Sequence, residues 1–243
     1  VKTLSKVYDV QLYCAFFQSF HVYYWFFNIV RKYCNLNVTV HDAVELEHKY
    51  PAFIMTDRDN CLRQAHRLIV HGEESLQILS ALNIPVSIIR FPVQNRQISG
   101  SYQKDFPVKF LFIGHIRKEK GIGNLIHAWS MLSHDGFDKS ILTIAGNDDL
   151  NLGRDALKLP NCITKFGYID DEDFEALIQD TDYVVLPYEG GTNSGVLSTA
   201  TSFGKPCITS MIPCFSQSQY FIEALSFREP EELLPLIMRI IRY

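Results

Sequence analysis

Short apolar runs alternate with segments whose apolar positions recur at helical spacing, and the alternation continues along the whole chain. Runs rich in β-branched and aromatic residues predict strands at Val7–Tyr13, Asn37–Val40, Leu68–Val70, Val86–Ile89, Val108–Ile113, Ser140–Ile144, Ile163–Phe166, Tyr183–Leu186 and Cys207–Thr209. Between them, Leu125, Ile126, Trp129 and Leu132 mark one face of a helix over Asn124–Leu132. A second helix is predicted over Asp171–Ile178, where acidic capping residues lead into Phe174, Leu177 and Ile178 on one side. Strands that alternate with helices predict an α/β protein with parallel sheets. The polar stretch QNRQISGSYQK (Gln94–Lys104) has no core-facing pattern and reads as the joint between two units. The predicted organisation is a unit over residues 1–95, a linker over 96–106 and a second unit over 107–243.

Composition narrows this picture without redirecting it. At 243 residues and 47% hydrophobic, the chain is long enough for two domains with real cores. A net charge of −4 gives no bias toward nucleic acid or an anionic membrane. Six scattered cysteines form no CxxC pair, which predicts buried reduced thiols and a cytoplasmic protein. The segment Val10–Val30 contains no Asp, Glu, Lys or Arg and is nearly long enough to span a bilayer. Gln11, Gln18, Ser19, His21 and Asn28 interrupt it, so it reads as a buried strand, a loop and a buried helix. It lacks the basic start and cleavage site of a signal peptide, and the first residue is Val, which reads as a chain whose true start is missing.

Ligands of parallel α/β sheets bind beyond the carboxyl ends of the strands, so the residues just after each predicted strand carry the candidate chemistry. In VVLPYEGGTNSGVLSTATSFGKP (Val184–Pro206), Gly190, Gly191 and Gly195 leave a loop almost bare of side chains, open to close backbone approach. A helix starting at Ser194-Gly195 points its free N–H groups and positive dipole end at an anion. The same residues also read as an ordinary turn with Asn193 or Ser194 as a cap. In FIGHIRKEKG (Phe112–Gly121), Arg117 and Lys120 have the chemistry to neutralise a pyrophosphate. The competing reading is a solvated loop with Lys118 and Glu119 simply exposed. Neither loop has Walker or GxGxxG spacing. Asp148-Asp149 and Asp170-Asp171 read as caps, so no acidic metal pair is expected. Among the histidines, His41 is singled out by its strand-end position beside Asp42. His21, His48, His66, His71, His127 and His134 are expected to be structural or on the surface.

Taken together, FLFIGHIRKEKGIGNLIHAW, LTIAG and FGYIDDEDFEALIQDTDYVVLPYEGGTNSGVLSTATSFGKPCITS resemble, in order and spacing, the C-terminal domain of retaining GT-B glycosyltransferases. The group is the glycogen-synthase-like one that uses nucleotide sugars, and the likeness runs from about residue 108 to 213. NVTVHDA, HRLIVHGEES and VSIIRFPV resemble, more weakly, its N-terminal Rossmann domain. The resemblance implies an α/β fold of GT-B type, two Rossmann-like parallel-sheet domains facing a cleft, the N-terminal one incomplete. It implies that Arg117 and Lys120 hold the donor diphosphate and that the backbone of Asn193, Ser194, Gly195, Val196 and Leu197 completes the cradle. Gly167, Tyr168 and Ile169 match the segment that holds the base, and His41 a residue near the transferred sugar.

The family's two glutamates, eight positions apart, are Gly191 and Thr199 here, and its Arg after the strand-end glycine is His115. Glu189 is the neighbouring carboxylate that can reach the sugar, Arg117 can stand in for the Arg, and Thr199 can hydrogen-bond a ribose. The implied activity is transfer of a sugar from a nucleotide diphosphate sugar to an acceptor hydroxyl, with retention and without a metal. The implied partners are that donor and a carbohydrate or lipid-linked acceptor, with no nucleic acid. The implied location is the cytoplasm, with peripheral contact at the inner face of a membrane left open. Both ends read as truncated relative to the family. A non-catalytic nucleotide-sugar or partner-binding module of the same fold is the alternative; an epimerase would need acid/base carboxylates that the sequence does not supply.

Overall fold

The computed structural model describes residues 11–16, 20–41, 58–89, 106–132, 134–191 and 194–242. The stretch Gln94–Lys104, Asp42 and Asn193 lie outside the described residues, as does the start of the first predicted strand. The chain divides into two compact units, one ending at Phe91 and one beginning at Pro92, with Gly191–Asn193 grouped with the first.

In the first unit, β1 (Gln11–Phe16), β2 (Asn35–Val40), β3 (Arg67–Val70) and β4 (Val86–Ile88) form a four-stranded sheet in sequence order, every pair parallel. α1 (Phe20–Val30) links β1 to β2, and α2 (Glu73–Ser80) links β3 to β4. Phe27 packs with Leu36, Val38, Val40, Leu62, Leu68, Val70 and Leu79 in the core. The uncharged segment is therefore a strand followed by a helix, and among the described residues no helix is long and apolar enough to cross a membrane. The expectation that the helix is buried needs correction. Tyr24, Trp25, Phe26 and Ile29 are exposed, Trp25 at 68%. An amphipathic position has only one inner face, and Phe27 and Val30 occupy it.

The second unit has six parallel strands: β5 (Val108–Ile113), β6 (Ser140–Gly146), β7 (Cys162–Phe166), β8 (Tyr183–Leu186), β9 (Cys207–Ser210) and the short β10 (Ser226–Phe227). Their order across the sheet is β10-β9-β8-β5-β6-β7. The winding thus reverses between β5 and β8, which makes the carboxyl ends of those two strands the topological switch point where such sheets open a crevice. Alternate residues feed the two faces. Val108, Phe110 and Phe112 pack under α3 (Ile122–Ser130) and α8 (Leu233–Arg242), against Leu125, Trp129, Leu233 and Ile237. Leu111, Ile113, Val184 and Leu186 pack on the other face against Ile178 of α5 (Asp171–Asp180) and Leu197 and Ala200 of α6 (Gly195–Ser202). Two short helices, α4 (His134–Asp138) and α7 (Pro213–Ser216), complete the unit. The indole N–H of Trp129 donates to the Pro160 carbonyl at 3.1 Å, so the largest core side chain leaves no polar atom unpaired.

All six cysteines are free thiols. Burial pushes Cys61 and Cys207 up to about 12, which withholds the reactive thiolate at neutral pH. Alkylation at about pH 8 is expected to spare both until the chain is unfolded, as peptide mass spectrometry would read.

Candidate functional site

The site is built on the switch point. Just beyond β5 stands Gly114, whose φ of +124° few other residues adopt. Its N–H donates to Ala145 O at 3.0 Å. β6 ends at Gly146 (φ +138°), where an added Cβ would sit 1.8 Å from the Gly114 carbonyl oxygen. Just beyond β7, Gly167 (φ +127°) donates to Gly146 O at 3.0 Å. Three neighbouring strands therefore finish on glycines that present bare backbone along one edge of the sheet.

After Gly114 the chain makes a 3₁₀ turn over Lys118–Lys120 and reaches Gly121 in the left-handed conformation (φ 65°, ψ 27°), which caps α3. This basic turn is clamped onto the loop after β8. The Glu119 carbonyl accepts from Glu189 N at 2.9 Å and Gly190 N at 3.4 Å, and a Cβ on Gly121 would fall 1.8 Å from Pro187 O. The reading of Glu119 as merely exposed is corrected. Its side chain is 10% exposed, with Oε2 buried and without a hydrogen-bond partner, and its Oε1 lies 3.9 Å from the Arg117 guanidinium. Lys118 is exposed as expected, and Arg117 stays half exposed.

Lys120 lies with its Nζ 3.8 Å from the ring centroid of Tyr188. Tyr188 is 3% exposed, and burial pushes its phenol up to about 12, with a hydrogen bond to Ser194 acting the other way. Ser210 Oγ donates to the Tyr188 carbonyl and fixes the backbone beneath. One buried aromatic thus joins the basic turn to the cap of α6. Ser194 is the N-cap: its Oγ accepts from Leu197 N at 3.2 Å. Val196 lies over Gly114, 3.5 Å from where a Cβ would stand, so the first turn of α6, with Gly195 and Val196, caps the end of β5. The free N–H groups at such a helix start favour an anion. Ser194→Ala is expected to lower stability by about 1 kcal/mol through loss of the cap, readable by urea denaturation.

His115 Nε2 pairs with Asp149 Oδ2 at 3.1 Å on the exposed edge. Asp148 accepts from Leu152 N and Gly153 N within its own loop, and Asp170 accepts from Asp173 N at 2.8 Å as the N-cap of α5. Tyr168 is 88% exposed beside Gly167, while Ile169 is half-buried against the core. Glu189 Oε1 accepts from Asn124 Nδ2 at 3.0 Å, which ties it to the first turn of α3. Thr199 donates its hydroxyl to Gly195 O at 3.0 Å and keeps only acceptor capacity. In the first unit, His41 follows β2, and its Nδ1 lies 3.0 Å from Nε2 of His71. Among the described residues no three His, Cys, Asp or Glu side chains gather in a way that could hold a metal. A cavity of about 220 Å³ lined by Lys109, Leu111, Ile141, Thr143, Ile163 and Leu177 opens toward the amino ends of β5–β7 and includes none of these residues.

The contacts of Tyr188, Glu119 and His71 lie outside what sequence reasoning anticipates. The Pro-Tyr pair just past an apolar strand signals the first; only the pairing of distant loops and strands reveals the others.

Known structures share this architecture. Sucrose-phosphate synthase from Thermosynechococcus elongatus superposes with a TM-score of 0.72 at 14% identity, over 96% of this chain and 64% of that one. The Anabaena protein HepE, solved in complex with UDP-glucose, gives 0.71 at 14% identity, over 98% and 71%. A UDP-forming α,α-trehalose-phosphate synthase from Burkholderia xenovorans, in complex with glucose-6-phosphate, gives 0.70 at 11% identity, over 96% and 66%. The chain thus spans less than two thirds of that synthase's length, and of two similar trehalose-phosphate proteins it covers 63% and 65%. No curated protein matches the sequence. The GT-B fold of two parallel-sheet units is shared with these structures, and residues 94–219 match the glycosyl transferases group 1 model, so the chain belongs to the glycosyl transferases group 1 family.

Proposed function

We propose that this chain serves a glycosyltransferase that moves a sugar from a nucleotide diphosphate sugar to a hydroxyl of a carbohydrate or lipid-linked acceptor, with retention of configuration. The observation that carries the reading is the join at the switch point, where Lys120, Tyr188 and the Ser194 cap meet at the ends of β5 and β8. Negative charge grows on the departing diphosphate as the sugar bond breaks. Arg117, Lys120 and the amides at the start of α6 are fixed in advance and stabilise that charge more than the ground state. The acceptor attacks from the face the nucleotide leaves, and the leaving phosphate takes its proton. The exposed edge at Gly167 and Tyr168 suits the base, held largely through backbone groups.

The cationic side chains supply the charge that a metal would otherwise bring, so donor binding is expected to survive EDTA in a titration. A thermal-shift panel of UDP, GDP and ADP with their glucose conjugates tests the proposal. One diphosphate and its conjugate are expected to raise the melting temperature, and a flat response across the panel would remove the assignment. A second reading, a binder without catalysis, draws on Gly191 and on Thr199, whose hydroxyl is spent on its own helix. Binding with neither transfer nor hydrolysis would select it.

A further inference from the structure

Glu119 is an acid in a turn that otherwise gathers positive charge. It stands between Lys118 and Lys120 with its side chain 10% exposed. A carboxylate this close to a bound anion opposes binding unless it does something else there. The backbone around it is fixed on both sides. Ile116 is 1% exposed and its N–H donates to Asn147 O at 2.8 Å, while the Arg117 carbonyl accepts from Lys120 N at 3.0 Å. The Glu119 carbonyl is held in turn by Glu189 N and Gly190 N. Only the side chains of the Arg117–Glu119 pair are left to settle. Glu119 Oε2 is buried without a hydrogen-bond partner, and Arg117 Nη1 lies 3.9 Å from Oε1, outside hydrogen-bond range.

A buried polar atom without a partner asks for a reason, and a carboxylate more than most. The chemistry of arginine supplies one. A guanidinium carries five N–H groups in a planar fork, so a carboxylate on one edge leaves another edge for a phosphate. An exposed arginine that orders itself only on binding gives up rotamer freedom at that moment. A buried carboxylate on a pinned backbone provides the order beforehand, and its unpartnered oxygen is the second acceptor that a two-point contact needs. Closing the gap takes about an ångström of movement by the half-exposed Arg117 side chain.

We propose that Glu119 is a positioning residue for Arg117: its two carboxylate oxygens take one edge of the guanidinium and turn another edge toward the donor diphosphate. This role rests on the basic turn being the donor site. All the groups involved belong to the second unit.

A double-mutant cycle tests it, read by calorimetry with whichever of UDP, GDP and ADP the thermal panel selects. Glu119→Ala is expected to weaken that diphosphate about tenfold. In an Arg117→Ala background the same change has no guanidinium to misplace and removes a like charge, so it is expected to tighten binding about twofold. An acid that only supports the turn would weaken binding in both backgrounds, and that result overturns the proposal. Glu119→Gln keeps one oxygen acceptor at the same reach and is expected to stay within about threefold of the parent; it carries the same cycle should Glu119→Ala not fold. If Arg117→Ala weakens binding and neither Glu119 variant does, the role of Glu119 falls and the donor site stands. If Arg117→Ala leaves affinity unchanged, or no diphosphate binds, the placing of Arg117 falls and the role of Glu119 with it.

Discussion

Gly121→Ala is expected to cost about 3–4 kcal/mol of stability and to abolish diphosphate binding. The left-handed conformation alone costs a non-glycine residue about 1–2 kcal/mol. The added Cβ would also lie 1.8 Å from Pro187 O and 2.8 Å from Pro187 C. Neither partner can retreat. Pro187 follows β8 directly, the next carbonyl is held by Ser210, and the Glu119 carbonyl is held by the two N–H groups above it. Relief comes only by parting the loops, which sacrifices those two backbone bonds at about 1 kcal/mol each. Parting them also withdraws Lys120 from Tyr188. Gly123→Ala is the internal control. Gly123 lies inside α3 with nothing within 4 Å of an added Cβ, so that change is expected to stabilise by about 0.5–1 kcal/mol. Urea denaturation and diphosphate titration of both variants check the pair. A Gly121→Ala protein as stable as the parent would show that the clamp does not hold the site together.

Removing both cations, Arg117→Ala with Lys120→Ala, is expected to weaken the bound diphosphate about 1,000-fold while the fold survives. A hydrogen bond to a charged group contributes about 1.5–3 kcal/mol, so each single change is expected to cost roughly 10- to 100-fold. The structural cost is small by comparison. Arg117 is half exposed and its ion pair to Glu119 is long at 3.9 Å, and the contact of Lys120 with the Tyr188 ring is worth about 0.5–1 kcal/mol. Circular dichroism should therefore match the parent while calorimetry does not. The parent's affinity should also fall with added salt more steeply than the double variant's. Unchanged affinity in both single variants would remove these residues from the donor site.

How much of this was legible in advance varied with how local the signal was. VKFLFI and YVVL gave β5 and β8 their full extents, because continuous apolar runs bounded by Pro, Gly or Asp leave little choice of period or ends. The helix expected from Asn124 begins at Ile122, because Gly121 in its left-handed turn already releases the chain into α3. β10, two residues long, carries no periodicity at all. α8 lay outside the expected elements although Leu233, Leu236, Ile237, Ile240 and Ile241 are spaced as one helical face; Pro235 in its first turn masks the pattern without breaking the helix. In the site, the strand-end positions of Arg117, Lys120 and Ser194 follow from pattern alone. The burial of Glu119 and the bridging ring of Tyr188 do not, since both depend on loops about seventy residues apart closing on each other. The contact of His71 with His41 is not legible in the sequence, because the parallel pairing that brings the two together is invisible until register is known.

The row of glycines at positions 114, 146 and 167 divides labour between parts of the molecule that can change and parts that cannot. In the proposed donor site the glycine row supplies space and backbone shape rather than side chains, so discrimination between nucleotides is expected to fall to the exposed neighbours His115, Asn147 and Tyr168. A library meant to retune the choice of nucleotide should diversify those three positions and leave the glycine row untouched.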